Sequence, residues 1–136
     1  MAVISVTAAN VVPDAGYTYR DMVAGATLTA GMSVYADAAD SNKVKGAIST
    51  TAATANCIGI LLNGASNNQP CRVMTGGTIT IGGTVAIGET YSTSDTAGGI
   101  GPEVDMGAND FGATIGMGIS TTKIKLGINV SGVAHA

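Results

Sequence analysis

CRVMTGGTITI, residues 71–81, is the stretch that decides the fold class of this chain. Apolar and polar residues alternate along it, which is the period of a β-strand with two different faces. The alternation predicts one face made of Cys71, Val73, Ile79 and Ile81 and an opposite face made of Arg72, Met74, Thr78 and Thr80. Gly82-Gly83 follows and tolerates positive φ, so we expect a tight hairpin in which residues 84–87, TVAI, return.

The same period of two recurs near the C-terminus. In KIKLGINV, residues 123–130, the residues expected to face inward are Ile124, Leu126, Ile128 and Val130. In FGATIGMGIST, residues 111–121, the corresponding residues are Phe111, Ala113, Ile115, Met117 and Ile119. The opposite face of this second strand consists largely of glycine and threonine, which predicts that another part of the structure approaches it closely.

Three further segments complete the prediction of fold class. Residues 27–37 and 43–49 alternate on either side of the turn sequence DAADSN and predict a hairpin. CIGILL, residues 57–62, is apolar on both faces and predicts a central strand covered on both sides. With no credible helical period, we expect an all-β fold: a compact β-barrel or β-sandwich of short antiparallel strands.

Charge is scarce in this chain. Only 11% of its 136 residues are charged, against roughly 25% in average domains. Between Gly46 and Gly88 the only charged residue is Arg72. Uncharged, β-prone windows of this kind would promote aggregation on a free edge. We therefore expect them to be closed within sheets or covered by partners in a stable oligomer or larger assembly.

The charge balance and the apolar runs also bear on partners. The net charge is −3, and the lysines form two small pairs rather than a basic patch, so no nucleic-acid partner is expected. No apolar run has the length of a transmembrane helix, so no membrane partner is expected. The N-terminus lacks the positive region of a secretory signal, so nothing in the sequence suggests an oxidising compartment.

Patterns that carry chemistry are weak. The glycines of residues 76–91 lack the GxxxxGK[ST] arrangement of a phosphate loop, and the single histidine, His135, stands next to the C-terminus. Asp37 and Asp40 lie in a turn without the register and distal Glu of a calcium loop. Cys57 and Cys71 are too far apart for a CxxC motif, and two buried thiols are favoured over a disulfide. We expect no enzyme activity, no cofactor and no metal.

The first 25 residues differ from the rest, so we divide the chain into an extended N-terminal arm, 1–25, and a body, 26–136. An apolar N-terminal strand either joins a sheet or lies on a neighbouring subunit. Aromatic residues and Arg are also enriched at interface hot spots. The residues predicted to contact another subunit or a larger assembly are Val3, Ile4, Val6, Val11, Val12, Tyr17, Tyr19 and Arg20.

Four segments in order resemble one known family: AGMSVYAD (30–37), IGILLNGASNNQPCRVMTGGTITIG (58–82), GETYSTSDTAGGIGPEVDM (88–106) and IGMGISTTKIKLGINVSGVAHA (115–136). Over residues 26–134 the chain resembles the small capsid decoration, or cement, proteins of tailed bacteriophages. The resemblance implies a homotrimer made in the host cytoplasm that docks on the outer capsid surface of the virion. There it would bridge neighbouring major capsid proteins and stabilise the shell.

Two other classes of function remain open at this stage. The first is a fibre or tail-associated β-module that binds a host surface glycan, which predicts exposed aromatic platforms. The second is a small β-barrel enzyme subunit, which predicts a polar constellation such as two close carboxylates in a pocket.

Overall fold

The computed structural model describes residues 3–134, and its regular elements are strands and three short 3-10 turns. No α-helix occurs among these residues. The strands are β1 (Val12–Pro13), β2 (Thr18–Val23), β3 (Ser33–Asp37), β4 (Lys43–Gly46), β5 (Cys57–Leu61), β6 (Pro70–Thr80), β7 (Thr90–Thr93), β8 (Ile100–Pro102), β9 (Phe111–Gly118) and β10 (Lys123–Ala134). Every strand pair is antiparallel, which confirms the predicted all-β class.

The strands form one curled sheet, a half-barrel, in the order β4-β3-β5-β6-β10-β9-β7-β8. Strand β6 holds the sheet together, because other strands pair with both of its edges. Val73 lies opposite Arg20 of β2 on one edge and opposite Leu61 of β5 on the other. Further along, Ile79 lies between Pro13 of β1 and Ile124 of β10. Strand β6, which contains most of CRVMTGGTITI, is therefore enclosed by four other strands.

The prediction of which residues share each face of β6 is wrong. Val73 packs in a cluster with Leu61, whereas Ile79 and Met74 pack in a second, larger cluster. The reason is a register shift: Thr18 lies opposite Gly76, but Tyr19 lies opposite Met74. The extra residue on β6 is a β-bulge, and it inverts the alternation from that point onward. The alternation of apolar and polar residues in the sequence does not reveal such an inversion.

The predicted hairpin at Gly82-Gly83 is also wrong, because residues 84–87 are not a strand. Gly82 does adopt the positive φ expected of a turn, at 77°. The chain then follows the β9–β10 turn: the amides of Ile81 and Val85 donate to the carbonyls of Thr122 and Thr121, respectively. The strand that returns along β6 is therefore β10, which is distant in sequence.

The hairpin predicted around DAADSN is confirmed as β3–β4, and β5 is confirmed as a doubly covered central strand. In the hairpin, Asp37 lies opposite Lys43 across the turn. On β5, Ile60 packs in the larger cluster and Leu61 in the smaller one, and both side chains are fully buried. The two hydrophobic clusters thus occupy opposite faces of β5 and β6.

Strand β9 only partly follows its predicted alternation. Ala113 and Ile115 are buried, but Met117 and Ile119 are exposed and Gly118 is buried in their place. The register of β9 against β7 shifts at Ile115, so the residues beyond it point to the faces opposite to those predicted. Because a Cβ on Gly118 would collide with the Ala86 carbonyl oxygen, glycine allows the close approach that the sequence predicted for this strand.

Backbone hydrogen bonds outside the strands draw the two ends of the sheet together. The Gly98 amide donates to the Ala47 carbonyl at 2.8 Å, and the Ser33 amide donates to the Gly98 carbonyl at 3.0 Å. The Ser49 amide donates to the Ser94 carbonyl at 2.8 Å. These bonds join the β3–β4 end to the loop between β7 and β8 and enclose the larger cluster.

Candidate interaction surface

The predicted arm lies against its own chain in the structure. Strands β1 and β2 cover one edge of β6, and the Ile4 amide donates to the Ile100 carbonyl on β8 at 2.9 Å. Ile4 and Val6 are half-buried against the larger cluster, and Val11 belongs to that cluster. Val3 and Val12 are exposed. The predicted interface residues are therefore divided between the chain's own core and its surface.

The side chains of the predicted anchors Tyr19 and Arg20 lie on opposite faces of β2. Successive side chains of a strand point to opposite faces, so Arg20 shares the face of Val73 and Tyr19 the other. The ring of Tyr19 instead lies against that of Tyr17, with centroids 5.5 Å apart. Both tyrosines belong to an aromatic group on the surface, while Arg20 is exposed on the far side of β2.

Arg72 completes this group. Its guanidinium carbon lies 3.9 Å from the centroid of the Tyr19 ring, a cation–π geometry. Its Nε donates to Oδ1 of Asp21 at 2.9 Å, directly across the β2–β6 pair. The hydrogen bond to Asp21, and secondarily one to Tyr17, raises the pKa of Arg72. We call Tyr17, Tyr19, Asp21 and Arg72 the β2 cluster.

A groove of about 460 Å³ opens beside the β2 cluster, and the residues that line it are Pro13, Tyr17, Asp21, Leu62, Asn63, Pro70, Cys71 and Arg72. Exposed apolar side chains border this groove. Val23 lies opposite Pro70, which lines the groove, and is 40% exposed. Tyr19 itself is 46% exposed. We call the groove together with Tyr19 and Val23 the β2 face.

Sequence reasoning missed Arg72 and Asp21 as members of this surface. A signal for Arg72 was available, because it is the single charge between Gly46 and Gly88. No local pattern could pair it with Asp21, which is 51 residues away. Their partnership depends on the register of β2 against β6, which only the fold determines.

A second charged cluster is a set of ion pairs in the β3–β4 turn. Nζ of Lys45 lies 2.7 Å from Oδ2 of Asp37 and 3.3 Å from Oδ2 of Asp40. The hydrogen bond from Lys45, and then that from the Ala39 amide, lowers the pKa of Asp37. The carboxylates are thus neutralised by lysine. Within residues 3–134, no group of three or more His, Cys, Asp or Glu is placed to hold a metal ion.

Both cysteines are buried free thiols, as predicted. Burial raises the pKa of Cys57 to about 11 and also raises that of Cys71, so neither is activated as a nucleophile. His135 lies outside the described residues.

No helix in the described part of the chain is long and apolar enough to cross a membrane. Comparisons with protein-family models, with curated proteins and with solved structures found no match to this chain.

Proposed function

We propose that this chain is a structural virion protein that binds the outer surface of a phage capsid as a homotrimer and stabilises the shell by bridging neighbouring major capsid proteins. The order of its β-rich motifs, which resembles that of capsid decoration proteins, supports the class. The observation that carries the proposal is the β2 face. It presents exposed Tyr19 and Val23 beside Arg72, whose charge is paired with Asp21, and aromatic residues and Arg are enriched at interfaces.

The β2 face suits binding to a large, repeating surface. Arg72 and Asp21 neutralise each other, so the face carries little net charge to desolvate. Tyr19 and Val23 supply exposed apolar area on a rigid sheet, because β2 is paired along its length to the central strand β6. A rigid surface loses little conformational entropy on binding.

Stabilisation of the shell follows from mass action. A protein that binds the expanded lattice better than its precursors shifts the equilibrium towards that lattice. Three linked copies engage neighbouring capsid proteins at once, so individually weak contacts add to a strong attachment. No chemical step is required of the chain.

The test uses purified expanded shells built from the phage's own major capsid protein. We expect Val23→Asp to weaken binding about tenfold or more, because it places a charge on the β2 face. The matched control is Val104→Asp, since Val104 is 81% exposed on the 3-10 turn Glu103–Asp105, outside the β2 face. Circular dichroism would verify that both variants fold. Equal binding by both variants would refute the role of the β2 face.

Point substitutions are preferable to deletion of the arm, because Ile4, Val6 and Val11 contribute to the chain's own core. Light scattering tests the trimer separately: three copies of 13.3 kDa give about 40 kDa. Attachment to host cells rather than to shells would instead support the glycan-binding alternative. The geometry disfavours it, because Arg72 already covers a face of the Tyr19 ring that a sugar would need.

A further inference from the structure

Residues 3–7, VISVT, lie in an extended conformation in a depression on the body of the chain. Ile4 and Val6 turn towards the larger hydrophobic cluster, while Val3, Ser5 and Thr7 are exposed. Two backbone hydrogen bonds fix the segment at its ends: Ile4 N–H to the Ile100 carbonyl at 2.9 Å, and Thr7 N–H to the Gly82 carbonyl at 2.8 Å. The segment is held as an extended peptide ligand would be held.

Glycines form the floor of the depression, and their missing side chains are what admit the segment. A Cβ on Gly31 would lie 2.5 Å from Cγ1 of Val6, and one on Gly82 would lie 2.5 Å from the Thr7 carbonyl oxygen. A Cβ on Gly83 would collide with the carbonyl oxygen of Ser5. We call Gly31, Gly82, Gly83 and Ile100 the N-terminal seat. Three separate parts of the chain contribute to it.

The connection between the segment and the body is suited to opening. It is the 3-10 turn Ala8–Asn10, which has no buried residue and no side-chain cap. Hydrogen bonds from Asn10 to Thr7 and from Val11 to Ala8 close it. Opening this turn exposes no buried side chain of the turn itself. Extended, the steps from Thr7 to Val11 would reach about 14 Å.

We propose that the N-terminal seat is a strand-accepting binding site whose ligand in the assembled protein is residues 3–7 of a second copy. The same contacts form whichever copy supplies the segment, so the exchange sacrifices no packing. The chemistry recognised is an extended peptide with β-branched residues at its second and fourth positions, here Ile4 and Val6. The inference rests on the seat alone and does not depend on binding to a capsid.

The test is an isotope-filtered nuclear Overhauser experiment on the full-length chain. Labelled (¹³C, ¹⁵N) and unlabelled copies are mixed in equal amounts, unfolded together in urea and refolded together at about millimolar concentration. We expect contacts between the Val6 methyl groups of one isotopic species and Gly31 of the other. For complete exchange these contacts should carry about half of the total Val6–Gly31 intensity, because half of the exchanged segments then come from a copy with the other label. Val6–Gly31 contacts confined to copies of one label would overturn the proposal.

Gly83→Ala provides a variant that blocks the seat. Gly83 does not have a positive φ, so alanine is tolerated by the backbone there and acts through its collision with Ser5. We expect loss of the Val6–Gly31 contact between species. The matched control is Gly127→Ala, because a Cβ at Gly127 meets nothing within 4 Å. Retention of the contact by Gly83→Ala, or its loss in Gly127→Ala, would contradict the seat as described.

Discussion

Gly59 lies at the point where β5 is pressed most closely against β6, and its replacement tests the central packing of the fold. A Cβ at Gly59 would occupy the space of the Met74 carbonyl oxygen and would lie 2.8 Å from Cγ1 of Val73. Met74 and Val73 are fully buried and belong to opposite hydrophobic clusters. Since a backbone atom is in the way, rotation of a side chain cannot relieve the collision.

We therefore expect Gly59→Ala to lower the free energy of unfolding by about 3 kcal/mol, the upper part of the range for overpacked cores. For a chain of this size the melting temperature would fall by about 10 °C. The urea midpoint would fall by about 1.5 M if m is near 2 kcal/mol/M. The chain has no tryptophan, so far-UV circular dichroism is the appropriate signal.

Gly127→Ala is the matched control, because it adds the same methyl group to a strand at a position with open space. Its stability should stay within about 0.5 kcal/mol of the parent, as for most surface substitutions. If Gly59→Ala unfolded at the same urea concentration as Gly127→Ala, the close apposition of β5 and β6 would be refuted. An altered m-value would indicate a changed denatured state rather than lost packing.

Three further outcomes are expected. Because the pKa of Asp37 is lowered below 3.8 in the folded chain, its stabilisation is present above that pH and is lost as the pH falls through the folded pKa. The difference in urea midpoint between the parent and Asp37→Asn should therefore shrink between pH 6 and pH 2.5, and a constant difference would contradict the ion pair with Lys45. Cys57, with its pKa raised to about 11, should resist iodoacetamide at pH 8 until the chain is unfolded in urea, as followed by mass spectrometry. Ile124→Ala should cost about 2–5 kcal/mol in urea unfolding, because the side chain is fully buried, and a neutral effect would exclude it from the core.

The class of fold followed from local patterns, whereas the arrangement of strands did not. Alternation along β10 and the turn between β3 and β4 each depend on residues adjacent in sequence, and both predictions are confirmed. The faces of β6 were wrong because a single bulged residue, invisible to the period, inverts them. The return strand was wrong because β10, rather than residues 84–87, pairs with β6.

The set of residues that forms the β2 face could be predicted from the sequence only in part, for the same reason. Tyr17 and Tyr19 were selected by residue type, and the structure does place them together at the surface. Arg20 was selected with them, but its position on the adjacent residue of β2 sends it to the other face. Arg72 takes the place beside Tyr19, since cross-strand register, rather than sequence proximity, determines which side chains meet.

The scarcity of charge between Gly46 and Gly88 has a cause within the chain. Strands β5 and β6 lie in this segment, and both faces of β5 and both edges of β6 are occupied by other parts of the same molecule. Residues 3–7 cover the turn at Gly82-Gly83. At the buried positions of these strands a charge would lack a partner, so its absence there is a requirement of folding.

The proposed external partner is supported by Tyr19 and Val23, which are exposed beside the groove although the chain had the freedom to place polar residues there. The exposed loops between Gly46 and Gly88 do contain polar residues. Residues 66–69, SNNQ, are exposed and polar without charge. A charge introduced at a buried position of β5 or β6 consequently tests folding, whereas a charge introduced at the exposed Val23 tests docking. One set of variants, measured for both stability and shell binding, therefore distinguishes the two effects.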